Sequence, residues 1–434
     1  MLLIYLPKNS ARCQYVFDLI FQNQLAIEYR VTNDLTEFKN HSKEKINYSH
    51  SKINNEFFIK CSSFLFETDI RKQEIKVLQK NGTRVLFPTE NDDSGFDIFS
   101  AVFYLISRYE EYLPFTADQF GRFKAQESLA FKNNFLHLPI VDIWIDNFKI
   151  DLQNKFPSLQ IKSPSFDAIL TYDIDVAYKY RARDFLRSTG SALKDLLSLK
   201  LKNIAERISV LRKDKNDPWD VYSYLTKTII TNNLNSIFFF LLSDKSKHDR
   251  NLNYQKTEMK KLVADIAKFS EIGIHPSFHS ATFPEKILIE KERLQKLSGK
   301  KITKSRQHYL KFILPGTYNS LLAAGITEDY SMGFSQMPGF RAGSCKPFYF
   351  YDLKHEKATE LKLFPITFME STLNISSDPD KAFQKMILLL EEVKKVNGTF
   401  ISLWHNHTIS ETNEYHEWRN VHEKMIQKLI EFLS

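Results

Sequence analysis

LTYDIDVAYKY, residues 170–180, is a buried-strand pattern that ends in two carboxylates one residue apart, Asp173 and Asp175. Side chains two apart on a strand point to the same side, so these two acids sit together. Like charges that close oppose each other's ionisation unless a cation, an arginine or a proton separates them. Taken alone, the stretch also reads as a strand running into a solvated turn. What stands at the ends of the other strands decides between the two readings.

Downstream of AILTYDID the chain alternates strand and helix patterns. A basic helical stretch over about 184–213 reads as a surface helix with solvated lysines, the alternative being an amphipathic helix on an anionic membrane. In DPWDVYSYLTKTIITNN, Asp217 suits an N-cap and Pro218 the first helical position. SIFFFLLSD is apolar throughout, as a strand covered on both faces should be. TEMKKLVADIAKFSEIGIH reads as a helix running into a short strand that ends at His275, and LQKLSGKKITKSRQHYL as a helix and loop. SMGFSQMPGFRAG, the helix DKAFQKMILLLEEVKKVNG and the strand TFISLWHNH continue the pattern. Such alternation predicts an α/β architecture with a mainly parallel sheet or barrel.

Upstream, LLIYL, FFIKCSSFLF and TRVLF are short strand-like runs. Residues 96–113 space apolar residues three and four apart, predicting an amphipathic helix terminated by Pro114. IVDIWIDNFKIDLQNKF predicts another helix. FPSLQIKSPS, residues 156–165, has the prolines and small polar residues of a linker. The expected organisation is a smaller α+β domain over 1–160, of unknown role, followed by a second domain over 161–434. With 434 residues, two domains are the default.

Composition narrows the class. The chain is 43% hydrophobic, and 12 glycines and 14 prolines leave little room for low-complexity tracts. The net charge of +8 admits an acidic partner, but lysine is spread along the whole chain and no nucleic-acid-binding signature accompanies it. Three separated cysteines, Cys13, Cys61 and Cys345, make no disulfide framework and no thiolate metal site. No basic leader with an apolar core and cleavage site opens the sequence, and no apolar run is long enough to span a bilayer, so a cytoplasmic location is expected.

Polar residues at the C-terminal ends of strands converge on one face of an α/β sheet or barrel. Those ends carry Asp173 and Asp175, then His275 and His279 in IGIHPSFHS, Arg341 in GFRAG, and His405 in LWHNH. Four-residue spacing puts two imidazoles on one side of a helical turn, able to grip one divalent ion. A carboxylate from another strand completes a two-histidine, one-aspartate set with positions open for water and substrate, as in catalytic sites. KSRQHYL, with Arg306 and His308, and EDYSMGF, with Asp329, read as capping and surface clusters in loops, the alternative being substrate contact.

In these residues the chain from about 166 to 410 resembles the NodB-type polysaccharide deacetylases, carbohydrate esterase family 4. Thr171, Tyr172, Asp173 and Asp175 match the first motif, His275 and His279 the second, Arg341 the third, and Leu403 with His405 the last. Ile174 separates two aspartates that are usually adjacent, and Pro276 replaces a hydroxyl residue. The fourth motif is not evident; PITFMESTL, residues 365–373, stands in its place. The resemblance implies a distorted (β/α) barrel preceded by a leader domain, and a divalent metal, zinc first and cobalt or nickel as alternatives. It implies Asp175, His275 and His279 as metal ligands. Asp173 is then the general base, held ionised by Arg341, and His405 the general acid, with His407 an alternative. The expected reaction is de-N-acetylation of an N-acetylated sugar or polysaccharide. The rival readings are hydrolysis of a cyclic ureide or imide and non-catalytic glycan binding.

Overall fold

A computed structural model describes the chain except residues 81, 163, 183–200, 413 and 434. Two main sheets organise it. β1 (Leu2–Tyr5), β2 (Tyr29–Thr32), β3 (Lys45–Ser49) and β4 (Phe57–Lys60) pair in parallel in the order β2-β1-β3-β4. β5 (Val77–Lys80) and β6 (Thr83–Leu86) form a separate antiparallel hairpin.

The helix expected over 96–113 is shorter and differently placed. It spans Ile98–Ile106, every one of its residues is buried, and it is therefore not amphipathic. It stops at Ser107, well before Pro114, because Arg108 turns into the left-handed region at φ +55°. The buried Arg108 guanidinium is held there at 2.8 Å from both Glu110 and Glu111. Two charge-assisted bonds in a desolvated setting outweigh the cost of that backbone conformation. The helix Ile140–Lys155 forms as its pattern predicts.

The larger sheet takes β7 (Asp167–Ile174), β8 (Asn235–Phe240), β9 (Glu271–Ile274), β10 (Lys304–Ser305) and β11 (Glu328–Asp329). To these it adds β12 (Phe348–Asp352), β13 (Lys357–Leu363), β14 (Phe368–Met369) and β15 (Thr399–His405). Their order is β12-β13-β11-β10-β9-β8-β7-β15-β14. Every pairing is parallel except β12 with β13. The outermost strands, β12 and β14, do not pair with each other among the described residues, so the fold is a mixed α/β sheet with barrel-like strand–helix alternation. Register brings strand ends to one level: His405 lies opposite Asp173, Asp173 opposite Phe239, and Ser305 opposite Ile274. Gly273 lets β9 fit between its neighbours, since a Cβ there would lie 2.5 Å from the Phe239 ring and 2.9 Å from the Lys304 carbonyl oxygen.

Two local expectations are corrected. Asp217 is not a helix N-cap, for the helix begins at Tyr222. Its carboxylate instead accepts from the backbone N–H groups of Lys179, Tyr180 and Arg181, pinning the loop that follows β7. SMGFSQMPGFRAG holds no strand, and the arginine at a strand end is Arg306, directly after the two-residue β10. Of the basic stretch 184–213, the helix Leu201–Leu211 is present and residues 183–200 lie outside the described residues.

The two sheets share one continuous apolar core. Polar contacts cross the same junction. The buried Arg12 reaches Glu356 at 2.6 Å, and Asp142 accepts from the Cys345 backbone N–H at 2.8 Å. All three cysteines are free and buried, and no helix among the described residues is long and apolar enough to cross a membrane.

Candidate metal centre

Asp173 is the buried penultimate residue of β7, and Asp175 follows directly after the strand with its side chain about a fifth exposed. They do share a side, and both face His275, at the end of β9. His275 Nε2 lies 3.2 Å from Asp175 Oδ1 and 3.7 Å from Asp173 Oδ2. The next strand end supplies His308, whose Nε2 is 3.5 Å from Asp175 Oδ2. Asp175, His275 and His308 each present one ligand atom, all within 4.8 Å of one another.

The hydrogen bonds behind these rings orient them for a cation. His275 Nδ1 donates to the Arg306 carbonyl oxygen at 2.6 Å, and His308 Nδ1 to Asp249 Oδ1 at 2.8 Å. Each ring thereby turns its Nε2 inward, the arrangement by which carboxylates and carbonyls fix metal-bound histidines. Asp249 is itself held by the Phe278 backbone N–H and the Ser246 hydroxyl. Asp175 Oδ1 is buried with no hydrogen donated to it. Lone pairs on a carboxylate oxygen and on two imidazole nitrogens pointing into one space require a cation or protons between them. Two imidazoles and one carboxylate suit zinc, and also cobalt or nickel. The residues present fit the metal expected from the sequence.

Charge coupling is strong around this point. Burial pushes the Asp175 carboxyl up, but the neighbouring His308, His405 and His275 rings hold it well below its usual range. Burial lowers the His308 imidazole, yet Asp175 and Asp249 raise it to about 9. His405, ending β15, is lowered by burial and raised more strongly by Glu370 and Asp175, to about 10. Its Nδ1 is 2.6 Å from Glu370 Oε1 and its Nε2 3.6 Å from Asp175 Oδ2. His407 goes the other way: burial and the neighbouring His405 push it down to about 4. It packs against Trp219 and Tyr415.

Two sequence expectations fail here. His279 does not join the cluster, because the chain leaves β9 in extended form and turns helical only from Phe278. Four-residue spacing on a non-helical segment does not stack two imidazoles, and the His279 ring lies against Phe278 and beside His248 instead. Arg341 does not reach Asp173. It is buried with bonds of 2.9 and 2.6 Å to Glu111 and one to the Gly333 carbonyl oxygen. Arg306 occupies the expected place, its Nη1 2.9 Å from Asp173 Oδ1 and its Nε on the Tyr330 carbonyl oxygen.

Sequence reasoning therefore missed Arg306, His308 and Asp249 as parts of one cluster. A signal existed. Arg306 and His308 stand two apart in an extended segment after a strand, the same spacing as Asp173 and Asp175 on β7. The chain then turns sharply through Tyr309 and Leu310, both at positive φ. Glu370 lies in the segment read as standing in place of the fourth motif.

The cluster opens into a cavity of about 670 Å³ lined by Asp173, Asp175, His275, His308 and His405, and walled further out by Arg122, Lys247 and Arg250. Residues 2–157 match DUF7033, a family of unknown function. No curated protein matches the chain. Among solved structures, one assigned as a polysaccharide deacetylase from Mycobacterium smegmatis is similar over 61% of this chain and 85% of its own, at 15% identity and a TM-score of 0.39. A CE4 family pseudoenzyme from Bacillus anthracis is similar over 60% of this chain and 62% of its own, at 9% identity and a TM-score of 0.30. The allantoinase Puue is similar over 60% of this chain and 83% of its own, at 12% identity and a TM-score of 0.36.

Proposed function

We propose that this chain is a metal-dependent amide hydrolase that removes acetyl groups from an N-acetylated sugar or polysaccharide. The observation that carries the reading is the convergence of three units on one cavity. They are the set Asp175, His275 and His308, the pair Asp173–Arg306, and the pair His405–Glu370. We divide the chain into an N-terminal domain over 1–160 and a catalytic domain over 161–434.

Asp175, His275 and His308 hold a divalent cation, replacing the set with His279 expected from motif spacing. When bound, that cation supplies the Lewis acidity that activates water and polarises the acyl oxygen. Asp173 is the general base. Arg306 fixes one of its oxygens, leaving the other, 3.7 Å from His275 Nε2, turned toward the cluster to accept a proton from water. His405 is the general acid. Glu370 binds its Nδ1–H and favours the protonated ring, so that Nε2–H delivers a proton to the departing nitrogen. His407, depressed to about 4, is neutral at physiological pH and suits pocket shaping more than proton donation. Buried Arg341 stabilises the fold through Glu111 instead of touching the reaction.

The test is metal analysis of purified and reconstituted protein, with acetate release from N-acetylhexosamine oligomers, nucleotide sugars and a cyclic ureide. Stoichiometric zinc, cobalt or nickel with acetate release supports the reading. Absence of any bound divalent metal after reconstitution would sink it, and turnover of the ureide alone would move the substrate to a non-sugar amide.

A further inference from the structure

The cavity above the cluster carries charges that the hydrolytic chemistry does not use. Lys247 and Arg250 flank Asp249, the residue that holds His308, and both line the cavity wall with exposed side chains. The wall is completed by Arg122, which comes from the N-terminal part of the chain. Arg122 is fixed in place, bonded to Asp118 at 2.7 Å and donating to the Tyr309 carbonyl oxygen. Phe120, on the same turn, packs on Tyr309 and Phe278 and anchors this segment over the mouth.

Arg122 is balanced by Asp118, so the cationic character of the wall comes from Lys247 and Arg250; the carboxylates lining the cavity among the described residues are Asp173 and Asp175. Both are already committed, one to Arg306 and the other to the histidines. The outer wall is thus cationic. A concave wall of one sign concentrates field lines and raises the local concentration of oppositely charged ligands. A cavity of about 670 Å³ has room for a sugar unit together with a charged substituent.

We propose that the substrate of this site is anionic: it carries a phosphate or carboxylate that docks on Lys247 and Arg250 while its amide meets the metal cluster. The inference rests on the hydrolase reading above and names its substrate class. The segment bearing Arg122 makes the N-terminal part a wall of the substrate site, with Arg122 positioned to contact the same anionic group.

Titration calorimetry of the metal-loaded full chain with N-acetylglucosamine, N-acetylglucosamine 1-phosphate and the N-acetylglucosamine–glucuronate disaccharide tests it. Each charged ligand the site accepts binds at least about ten-fold tighter than the neutral sugar at low salt, and the advantage shrinks as salt screens exposed charges. The double variant Lys247→Glu, Arg250→Glu loses that advantage while keeping its metal content and its affinity for the neutral sugar. The two charged probes separate a phosphate from a carboxylate. Equal affinity for all three ligands overturns the proposal. So does an advantage that persists in the double variant, because the anion then sits on the metal itself. Tighter anion binding without acetate release from any amide leaves the anion site standing and overturns the hydrolase reading instead.

Discussion

His308 donates its Nδ1 hydrogen to Asp249 over 2.8 Å, and that bond turns its Nε2 toward Asp175. The pairing makes His308, not His279, the second imidazole of the cluster. His308→Ala is expected to abolish stoichiometric metal binding, whereas His279→Ala retains it. Asp249→Asn keeps an acceptor but removes the charge, and should weaken the metal about 10- to 100-fold. Metal content after dialysis against a graded chelator reads all three; retention by His308→Ala would return His279 to the ligand set.

Arg306 and Arg341 separate in the same way. Arg306→Met strips Asp173 of the guanidinium that donates to its Oδ1, and hydrolysis is expected to fall by roughly 10²- to 10⁴-fold with metal retained. Arg341→Met strips Glu111 of one of its two buried arginine partners, so it should lower thermal stability and leave the activity of the folded fraction intact. Comparable kinetics for the two variants would contradict this division of roles.

Much of this site could be read from strand-end residues, because a parallel sheet delivers C-terminal ends to one face whatever the loops do. Asp173, Asp175, His275 and His405 follow from that rule alone. What escaped was the donor of the third ligand. β10 and β11 are two residues long, too short for periodicity to register, so Arg306 and His308 looked like loop residues. Arg341 misled because GFRAG has the composition of a strand end while its guanidinium is recruited by a buried glutamate 230 residues away, a long-range pairing that no local pattern encodes. The four-stranded sheet was partly visible as separate apolar runs, but its strand order depends on crossovers that spacing does not reveal.

Metal uptake should depend on pH with a definite sign. In the metal-free site His308 titrates at about 9, raised by Asp175 and Asp249 against its burial, so at neutral pH it carries a proton that a cation must displace. Apparent metal affinity is expected to rise with pH up to about 9, by about tenfold per unit for one proton released. Calorimetry in buffers of different ionisation enthalpy counts that proton directly; binding with no proton release at pH 7 would contradict it.

On the proposed mechanism, Glu370 is expected to set the alkaline limit of activity. In that mechanism His405 donates its proton from the charged form, so activity is expected to fall as pH rises through its pKa. With Glu370→Gln the strongest influence raising that pKa from its ordinary value to about 10 is gone. The alkaline limb of kcat/KM should move to lower pH, with metal content unchanged. A limb that stays in place would remove His405 from the proton-donor role.

Away from the site, His422 gives the fold an acid-side weakness. It is fully buried between two hydroxyls, its Nε2 3.2 Å from Tyr172 Oη and its Nδ1 3.1 Å from Tyr224 Oη. Burial, assisted by Arg419, lowers it to about 3, so the folded protein keeps it neutral where the unfolded chain protonates it near 6.5. Because the unfolded state binds the extra proton, stability holds above pH 6.5 and falls between 6.5 and about 3, by on the order of a few kcal/mol if the whole window is crossed. His422→Gln can still offer one donor and one acceptor to the two tyrosines but does not titrate. Denaturant unfolding from pH 7 to pH 4 should therefore show a shallower loss of stability in this variant than in the parent. Identical slopes would mean that groups other than His422 govern the acid response; the Asp329 carboxyl, which burial raises to about 6, is not one of them, because it takes up its proton in the folded state and so adds stability as pH falls.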